Sequence, residues 1–165
     1  ETQPKGPETA GPLDPDRPAN LFYELPDFDT TLHFRSTDFV QVNREVNRKL
    51  VARAVDQLDP QPGEGILDLF CGIGNFSLPL ARKGALVERA GANAAANGLA
   101  EVTDFATADL EDAWLTEFPV ATECDKALLD PPRSGAVEAV KQLAETLRPG
   151  RIVYVSCNPA TLARD

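Results

Sequence analysis

The sequence is poor in the residues that hold small secreted domains and metal sites together. Its 165 residues include three cysteines, one histidine and no methionine. Three cysteines in a chain of this length do not make a disulfide framework, and no two of them have the spacing of a metal site. We therefore expect no metal ion and a reducing compartment, with the cytoplasm as the default.

Long apolar runs are absent as well. No run of about 18 apolar residues is present, which excludes a membrane-spanning helix, and no signal peptide is visible. Hydrophobic residues make up 42% of the chain, so we expect a globular domain. A domain of this size buries about two-thirds of the surface that its unfolded chain exposes.

Positive charge is scarce: 16 Lys and Arg residues stand against 26 Asp and Glu, which gives a net charge of −10. This balance argues against a nucleic-acid partner, unless a basic surface lies in another part of the protein. We expect such a further part, because the chain starts at Glu1 without a methionine and stops at Asp165 directly after a motif. The sequence is therefore interpreted as a fragment of a larger protein.

A strand, a glycine turn and a helix follow one another in ILDLFCGIGNF, residues 66–76. Apolar residues after the turn-forming sequence at 62–65 predict a buried parallel strand. Gly72 and Gly74 then allow dihedrals closed to other residues and a close approach of the backbone to a ligand. A helix is expected from about Asn75. This join forms the nucleotide-side crevice of open α/β sheets.

The glycine pattern narrows the type of ligand. Leu78 stands where the dinucleotide fingerprint has its third glycine, and no Gly-Lys-Ser/Thr follows, so neither that fingerprint nor a Walker loop is present. Asp68 before the glycines is similar to the pattern of S-adenosylmethionine-dependent methyltransferases. The alternative is a tight turn between strand and helix that binds nothing.

The rest of the chain predicts an α/β fold, a Rossmann-like sheet with helices on both faces, preceded by a short β-rich segment. Residues 1–38 are interpreted as a linker and a β-hairpin from a preceding domain, with strands at 21–23 and 31–34 around Pro26 and Asp27. Residues 39–165 are interpreted as the catalytic domain. It opens with an amphipathic helix over 44–58, whose apolar face is predicted to include Val46.

The second strand of the sheet is hard to find. Leu86 and Val87 are too few for a central strand, and residues 85–97 favour one helix that ends at Gly98. We therefore expect a segment to be missing near residues 84–86. That segment would carry the acidic strand end that holds a ribose.

Three further strand ends carry polar groups. Asp109 follows a short strand over 102–105, where it is expected to contact an adenine amino group or to cap a helix. Asp130 follows a buried strand and precedes two prolines, and Cys157 follows the strand over 151–155. Carboxyl ends of parallel strands share one edge, so these groups are expected to converge at one site.

Four motifs together resemble the RNA uracil-C5 methyltransferase family: FVQVN at 39–43, DLFCGIGNF at 68–76, DPPR at 130–133 and SCNP at 156–159. The resemblance covers about residues 21–165. The run YVSCNPATLARD is most similar to the branch that methylates 23S ribosomal RNA.

The resemblance implies an enzyme that methylates uridine C5 in RNA with S-adenosylmethionine as cofactor. It makes Cys157 the nucleophile that adds to C6 of the uracil, and it makes Asp130 a residue that also faces the base. The cofactor or its immediate surroundings are assigned to Gln41, Phe70, Asn75, Asp109 and Asp130. Cys71, inside the glycine turn, is interpreted as a small packing residue.

The chain departs from the family in three respects. The ribose-binding acidic residue is absent, and the glutamate that removes the C5 proton lies beyond the nucleophile motif, where this chain ends. The RNA-binding barrel and the four-cysteine iron–sulfur motif of many members are also absent. The fragment is therefore expected to be inactive alone.

Two other functions stay open from the residues. A methyltransferase for proteins or small molecules would have Tyr or Phe after its prolines and no nucleophilic cysteine, and Arg133 and Cys157 argue against it. A non-catalytic RNA-binding module with the same fold is disfavoured by the acidic charge. Transfer RNA is the alternative RNA substrate.

Overall fold

An antiparallel hairpin is the first element of the fold. The computed structural model describes residues 20–83, 86–88, 91–104, 110 and 124–165. Strands β1 (Leu21–Leu25) and β2 (Thr30–Phe34) pair with Leu21 opposite Phe34. The 3-10 turn Pro26–Phe28 joins them, and Asp29 returns the chain to β2 with a left-handed φ of 46°. The predicted hairpin is confirmed.

The hairpin packs into the main hydrophobic core. Leu25 and Leu32 are 1% and 0% exposed, and they belong to one buried cluster with Val51, Leu58 and Ile66. Burying a leucine in this way stabilises a fold by about 1.5–3 kcal/mol. The hairpin therefore shares a core with the residues that follow it, and the division of the chain at residue 38 stays a prediction.

Helix α1 (Arg44–Leu58) has the bounds that the sequence predicts. Asn43 caps it, because its side-chain oxygen accepts a hydrogen bond from the backbone N–H of Val46 at 3.1 Å. Its buried face differs from the prediction: Val46 is 58% exposed, whereas Asn47 is only 3% exposed. A buried asparagine needs hydrogen-bond partners, and those partners lie at the candidate site.

In the described part of the chain, five parallel strands form the central sheet, in the order β5-β4-β3-β6-β7. They are β3 (Gly65–Leu69), β4 (Leu86–Glu88), β5 (Thr103–Asp104), β6 (Lys126–Leu129) and β7 (Arg151–Tyr154). The other helices among the described residues are α2 (Ser77–Arg82), α3 (Gly91–Ala96), α4 (Val137–Gln142) with a π-helical continuation at Leu143–Leu147, and α5 (Pro159–Arg164).

Alternate residues of the central strands enter two different cores. Ile66 and Leu128 join the cluster that includes the hairpin and α1, while Leu67 and Leu129 join a second cluster with Leu143. Successive strand residues point to opposite faces, so burial on both faces requires a layer on each side. The predicted α/β fold with helices on both faces is confirmed. Among the described helices, none is long and apolar enough to cross a bilayer.

The segment after α2 differs from the prediction of one helix over 85–97. Residues Leu86–Glu88 form strand β4, which pairs with β3 on one side and β5 on the other. Among the described residues of this segment, the helix covers Gly91–Ala96, and Gly98 follows with a φ of 69°. Sheet pairing on both sides overrides the local helical preference. Gly84 and Ala85 lie outside the described residues, so the missing segment predicted near 84–86 stays a prediction.

The strand order changes direction between β3 and β6. The chain places β4 and β5 on one side of β3 and then crosses to its other side for β6 and β7. Ligands of open α/β sheets bind at such a point, outside the carboxyl ends of the strands. The residues that follow β3 and β6 are therefore the first candidates for a site.

Candidate functional site

The turn after β3 contains three residues with left-handed backbone angles. Phe70 has a φ of 66°, Gly72 of 54° and Gly74 of 94°. Glycine takes such angles readily, but an aromatic residue does so only under constraint, and constraint of this kind gathers at functional sites. A Cβ at Gly72 would meet nothing within 4 Å. The turn is thus shaped by its glycines and open on its outer side.

Asp68 lies inside a strand, whereas Asp130 follows the end of one. Asp68 lies within β3, is fully buried, and accepts a hydrogen bond of 2.5 Å from the hydroxyl of Ser77 at the start of α2. This bond ties the strand before the glycine turn to the helix after it. Asp68 therefore supports the turn from inside the fold.

Asp130 borders the glycine turn. It follows β6, and its backbone N–H donates to the carbonyl of Leu69 at 3.3 Å. Burial raises the pKa of its carboxyl from 3.8 to about 6, because a charged carboxylate is poorly solvated there. A carboxyl whose pKa lies near neutrality can accept hydrogen bonds and exchange protons at a reaction centre.

Cys157 is presented by a short turn between β7 and α5, and it is exposed. Ser156 accepts a hydrogen bond from the backbone N–H of Asn158 at 3.1 Å and donates to its carbonyl at 2.9 Å. Asn158 in turn caps α5, where its side-chain oxygen accepts from the N–H of Ala160 at 3.1 Å. The hydroxyl of Ser156 and the side-chain oxygen of Asn158 thus hold the turn and the start of α5, and Cys157 itself stays exposed.

Hydrogen bonds join the cysteine segment to the loop that follows Asp130. The side-chain amide of Asn158 donates to the carbonyl of Arg133 at 3.4 Å. The guanidinium of Arg164 donates to the carbonyl of Ser134 at 2.7 Å. The two loops therefore form one connected edge.

Asp165 also links the cysteine segment to the loop that follows Asp130. Its side-chain oxygen accepts from the backbone N–H of Ala136 and from the phenol of Tyr154, both at 2.6 Å. These donors, first the phenol and then the amide, lower the pKa of Asp165 to about 2. Burial, with a contribution from Asp165, raises the pKa of Tyr154 to about 12.

The predicted site residues have the following positions. Phe70, Asn75, Asp130 and Cys157 lie on the carboxyl edge of the sheet, after β3, β6 and β7. Because β6 separates β3 from β7, and neighbouring strands are about 4.8 Å apart, the glycine turn and the cysteine turn start about 10 Å apart. Gln41 is half-buried, two residues before the cap of α1. Asp109 lies outside the described residues.

The side chain of Asn75 forms hydrogen bonds with residues of the hairpin and of α1. Its side-chain oxygen accepts from the phenol of Tyr23 at 2.8 Å and from the amide of Asn47 at 2.9 Å. Its own amide nitrogen donates back to Asn47 at 3.0 Å. Burial raises the pKa of Tyr23 far above its usual range, so that its phenol stays a donor. Asn75 therefore fixes the turn against α1 and the hairpin.

Sequence reasoning missed Asn47 as a supporting residue of the turn. A signal was present, because Asn47 precedes Val51, Ala54 and Leu58 at helical spacing on the buried face of α1. A polar residue on an apolar helix face indicates a buried hydrogen bond. Among the described residues, no group of three His, Cys, Asp or Glu side chains is arranged to hold a metal ion.

Comparisons with known proteins agree with this geometry. The family model described as tRNA (Uracil-5-)-methyltransferase matches residues 21–89 and 86–165. The chain is 53% identical to the 23S rRNA (uracil(1939)-C(5))-methyltransferase RlmD of Acidithiobacillus ferrooxidans and 52% identical to that of Azoarcus sp., over 99% of its own length. It spans only 39% and 40% of those relatives.

Among solved structures, the chain is similar to the tRNA (uracil-54, C5)-methyltransferase of Pyrococcus abyssi in complex with S-adenosyl-L-homocysteine. That match has a TM-score of 0.69 and 30% identity, and it covers 88% of this chain and 36% of the other. A second match, to TrmN from Thermus thermophilus, has a TM-score of 0.53 and 27% identity, over 70% of this chain and 40% of the other.

The family match is broken at one place. Its two parts overlap at residues 86–89, which are the end of the first part and the start of the second. The alignments with both relatives run over 173 residues, against 165 in this chain, so the relatives carry residues that this chain lacks. The four motifs lie within the matched ranges. With residues 21–165 matched, the chain belongs to the tRNA (uracil-5-)-methyltransferase family.

Proposed function

We propose that the protein containing this chain transfers a methyl group from S-adenosylmethionine to C5 of a uridine in 23S ribosomal RNA, through a covalent bond between Cys157 and C6. The observation that carries the proposal is the placement of the cysteine turn and the glycine turn on either side of Asp130, at one edge of the sheet. The relatives that match most of this chain methylate 23S rRNA by name. Cytoplasmic location is part of the proposal.

The glycine turn is the proposed place of the methyl donor. S-adenosylmethionine supplies an electrophilic methyl group on a sulfonium. The open side of Gly72 gives the backbone close access to a ligand, and Phe70, two residues earlier, has a left-handed φ as well. Gln41 and Asp109 are proposed as further donor contacts. Since Asn75 is held by Tyr23 and Asn47, we assign it the task of fixing the turn.

Cys157 acts on the pyrimidine ring. Its thiolate adds to C6, the C5–C6 double bond opens, and the electron pair moves through C5 onto the C4 carbonyl as an enolate. C5 then takes the methyl group, a base removes the C5 proton, and the thiolate leaves as the double bond reforms. The uridine must leave its stack to reach an exposed thiol at the sheet edge.

Asp130 is proposed to face the base. Its pKa of about 6 leaves it largely ionised at pH 7, so that it accepts a hydrogen bond from N3–H, the one ring N–H of a uridine. We propose that the base that removes the C5 proton is a glutamate outside residues 1–165, because the chain spans only 39% and 40% of the relatives it matches. We therefore propose that residues 1–165 alone do not turn over.

The test uses the whole protein and RNA with 5-fluorouridine at the target position. Fluorine at C5 cannot leave as a proton, so the reaction stops at a covalent protein–RNA adduct. We expect the wild-type adduct on denaturing gels, its loss in Cys157→Ala, and its retention in the matched controls Cys71→Ala and Cys124→Ala. Methylation without any adduct would contradict the covalent step.

Transfer RNA is the second substrate to include, because the Pyrococcus abyssi enzyme, similar in structure to this chain, is named for it. Parallel reactions with a 23S fragment and with transfer RNA separate the two. Methyl transfer to transfer RNA alone would overturn the ribosomal assignment and leave the chemistry intact. Transfer to a protein or small molecule alone would overturn both.

A further inference from the structure

Strand β2 has one edge that pairs with β1 and one that does not. In an antiparallel pair, the backbone groups of alternate residues point to the partner strand, and those between them point away. The backbone N–H groups of Thr31 and His33 point away from β1, and each meets an asparagine side chain. A polar strand edge is thereby covered by side chains of another element.

The two asparagines lie on and just after α3, four residues apart. Asn97 accepts from the N–H of Thr31 at 2.9 Å and donates to its carbonyl at 2.7 Å. Asn93 accepts from the N–H of His33 at 2.9 Å and donates to its carbonyl at 3.0 Å. Four helical residues rise about 6 Å and two strand residues about 6.7 Å, so the spacings match.

Each asparagine side chain makes a third hydrogen bond: Asn97 donates to the backbone carbonyl of Asn93 at 2.8 Å, and of the two only Asn93 reaches the turn. Its side-chain nitrogen also donates to the carbonyl of Ile73 at 2.9 Å, between the two glycines of the turn. One amide group thus joins β2 to the centre of the glycine turn. The orientation of the amide is fixed by chemistry, because only the NH₂ group can donate to two carbonyls.

The other strand of the hairpin also contacts the turn. Tyr23, on β1, donates to the side chain of Asn75 at 2.8 Å. Tyr23 and Asn93 therefore connect both strands of the hairpin to the turn at two separate points, Asn75 and Ile73. Tyr23 and Asn75 are 52 positions apart in sequence, and His33 and Asn93 are 60 apart. Asn93 and Ile73 are 20 positions apart.

We propose that the hairpin is a structural part of the methyl-donor site, and that Tyr23 and Asn93 are its positioning residues. These two contacts, from Tyr23 to Asn75 and from Asn93 to Ile73, hold the left-handed turn in the shape that binds the donor, so the contacts and donor affinity are coupled. By reciprocity, the bound donor tightens the hairpin. This inference rests on the proposed function for its ligand, but not for its effect on the turn.

The experiment compares Asn93→Ala with Asn97→Ala in the whole protein. Both changes remove one pair of bonds to β2, but only the first removes a bond to the turn. Binding of S-adenosylhomocysteine is measured by calorimetry, and hydrogen exchange is followed at the amide of Gly74, which donates to Cys71 at 2.9 Å within the turn. Tyr23→Phe, which removes a single hydroxyl, is the gentler second variant.

We expect Asn93→Ala and Tyr23→Phe each to weaken binding about tenfold, because each removes one partly buried hydrogen bond to the turn. Both should speed exchange at Gly74. Asn97→Ala should lower the melting temperature about as much as Asn93→Ala and change affinity less than about twofold.

Equal effects of Asn93→Ala and Asn97→Ala on the turn, or no effect of Asn93→Ala and Tyr23→Phe, overturn the proposal. If the wild-type protein binds no S-adenosylhomocysteine, the proposed function fails, while exchange at Gly74 still decides the positioning role. If Asn93→Ala does not fold, Tyr23→Phe decides alone.

Discussion

The phenol of Tyr154 donates a hydrogen bond of 2.6 Å to the carboxylate of Asp165. Tyr154 ends β7 three residues before Cys157, and Asp165 follows α5 on the other side of it. The bond therefore closes a ring of chain around the cysteine. Since the same carboxylate also accepts from Ala136, the ring is fixed to the start of α4.

Asp165→Asn should loosen this ring, because an amide oxygen accepts less strongly than a carboxylate shared by two donors. We expect a lower melting temperature and faster alkylation of Cys157 by iodoacetamide at neutral pH. Tyr154→Phe is the matched change on the other side of the bond and should act in the same direction. A double variant with strictly additive effects would contradict a direct coupling between the two residues.

The stability of the folded protein should fall with rising pH as Asp130 loses its proton. Its pKa in the folded protein, about 6, lies above its ordinary 3.8, so the folded state binds the proton more tightly. Its contribution to stability is complete below about pH 3.8 and is lost as the pH rises through 6. Urea denaturation between pH 4 and pH 7 should show this fall in the wild type but not in Asp130→Asn. Equal slopes for the two proteins would exclude the assignment.

At Phe70 the glycine variant should be more stable than the alanine variant, which is the reverse of the usual order of stability. At a φ of 66° a residue with a Cβ is strained by about 1–2 kcal/mol relative to glycine. Phe70→Gly should therefore be more stable than Phe70→Ala in urea denaturation. Phe76, with a φ of −103° and almost complete burial, is the control, and there the glycine variant should be the less stable one. The same order at both positions would contradict the strain.

The three cysteines should differ in reactivity. Cys157 is exposed, whereas Cys71 and Cys124 are half-buried. Brief treatment of the folded protein with iodoacetamide, followed by peptide mass analysis, should label Cys157 first. In Cys157→Ala the early labelling should disappear. Equal labelling of Cys71 and Cys157 would show that the cysteine turn is less open than its exposed surface indicates.

Sequence patterns predicted the elements with strong local signals. The bounds of α1 follow from its apolar spacing and the Asn43 cap, and the turn after β3 follows from Gly72 and Gly74. The common edge of Phe70, Asp130 and Cys157 follows from parallel strand topology, whereas Asp109 lies outside the described residues. In each case the information lies within a few neighbouring residues or in a rule that holds for all such sheets.

The missed features depend on partners far away in the chain. Residues 86–88 are strand because β3 and β5 pair with them, not because of their own preference. Asn47 is buried because Asn75 lies opposite, and Asn93 holds His33 across 60 positions of sequence. The sequence pattern does not specify which distant backbone group an asparagine meets.

The match between Asn93, Asn97 and alternate residues of β2 also fixes how α3 is turned about its own axis. One residue inserted between the two asparagines would rotate the second by about 100° and carry it off the strand. Residues inserted before Gly91 would leave that rotation unchanged. We therefore expect insertions and deletions relative to the relatives to be tolerated before α3, near residues 86–89, where the family match is broken. Within α3 we expect them to disrupt the contacts with β2.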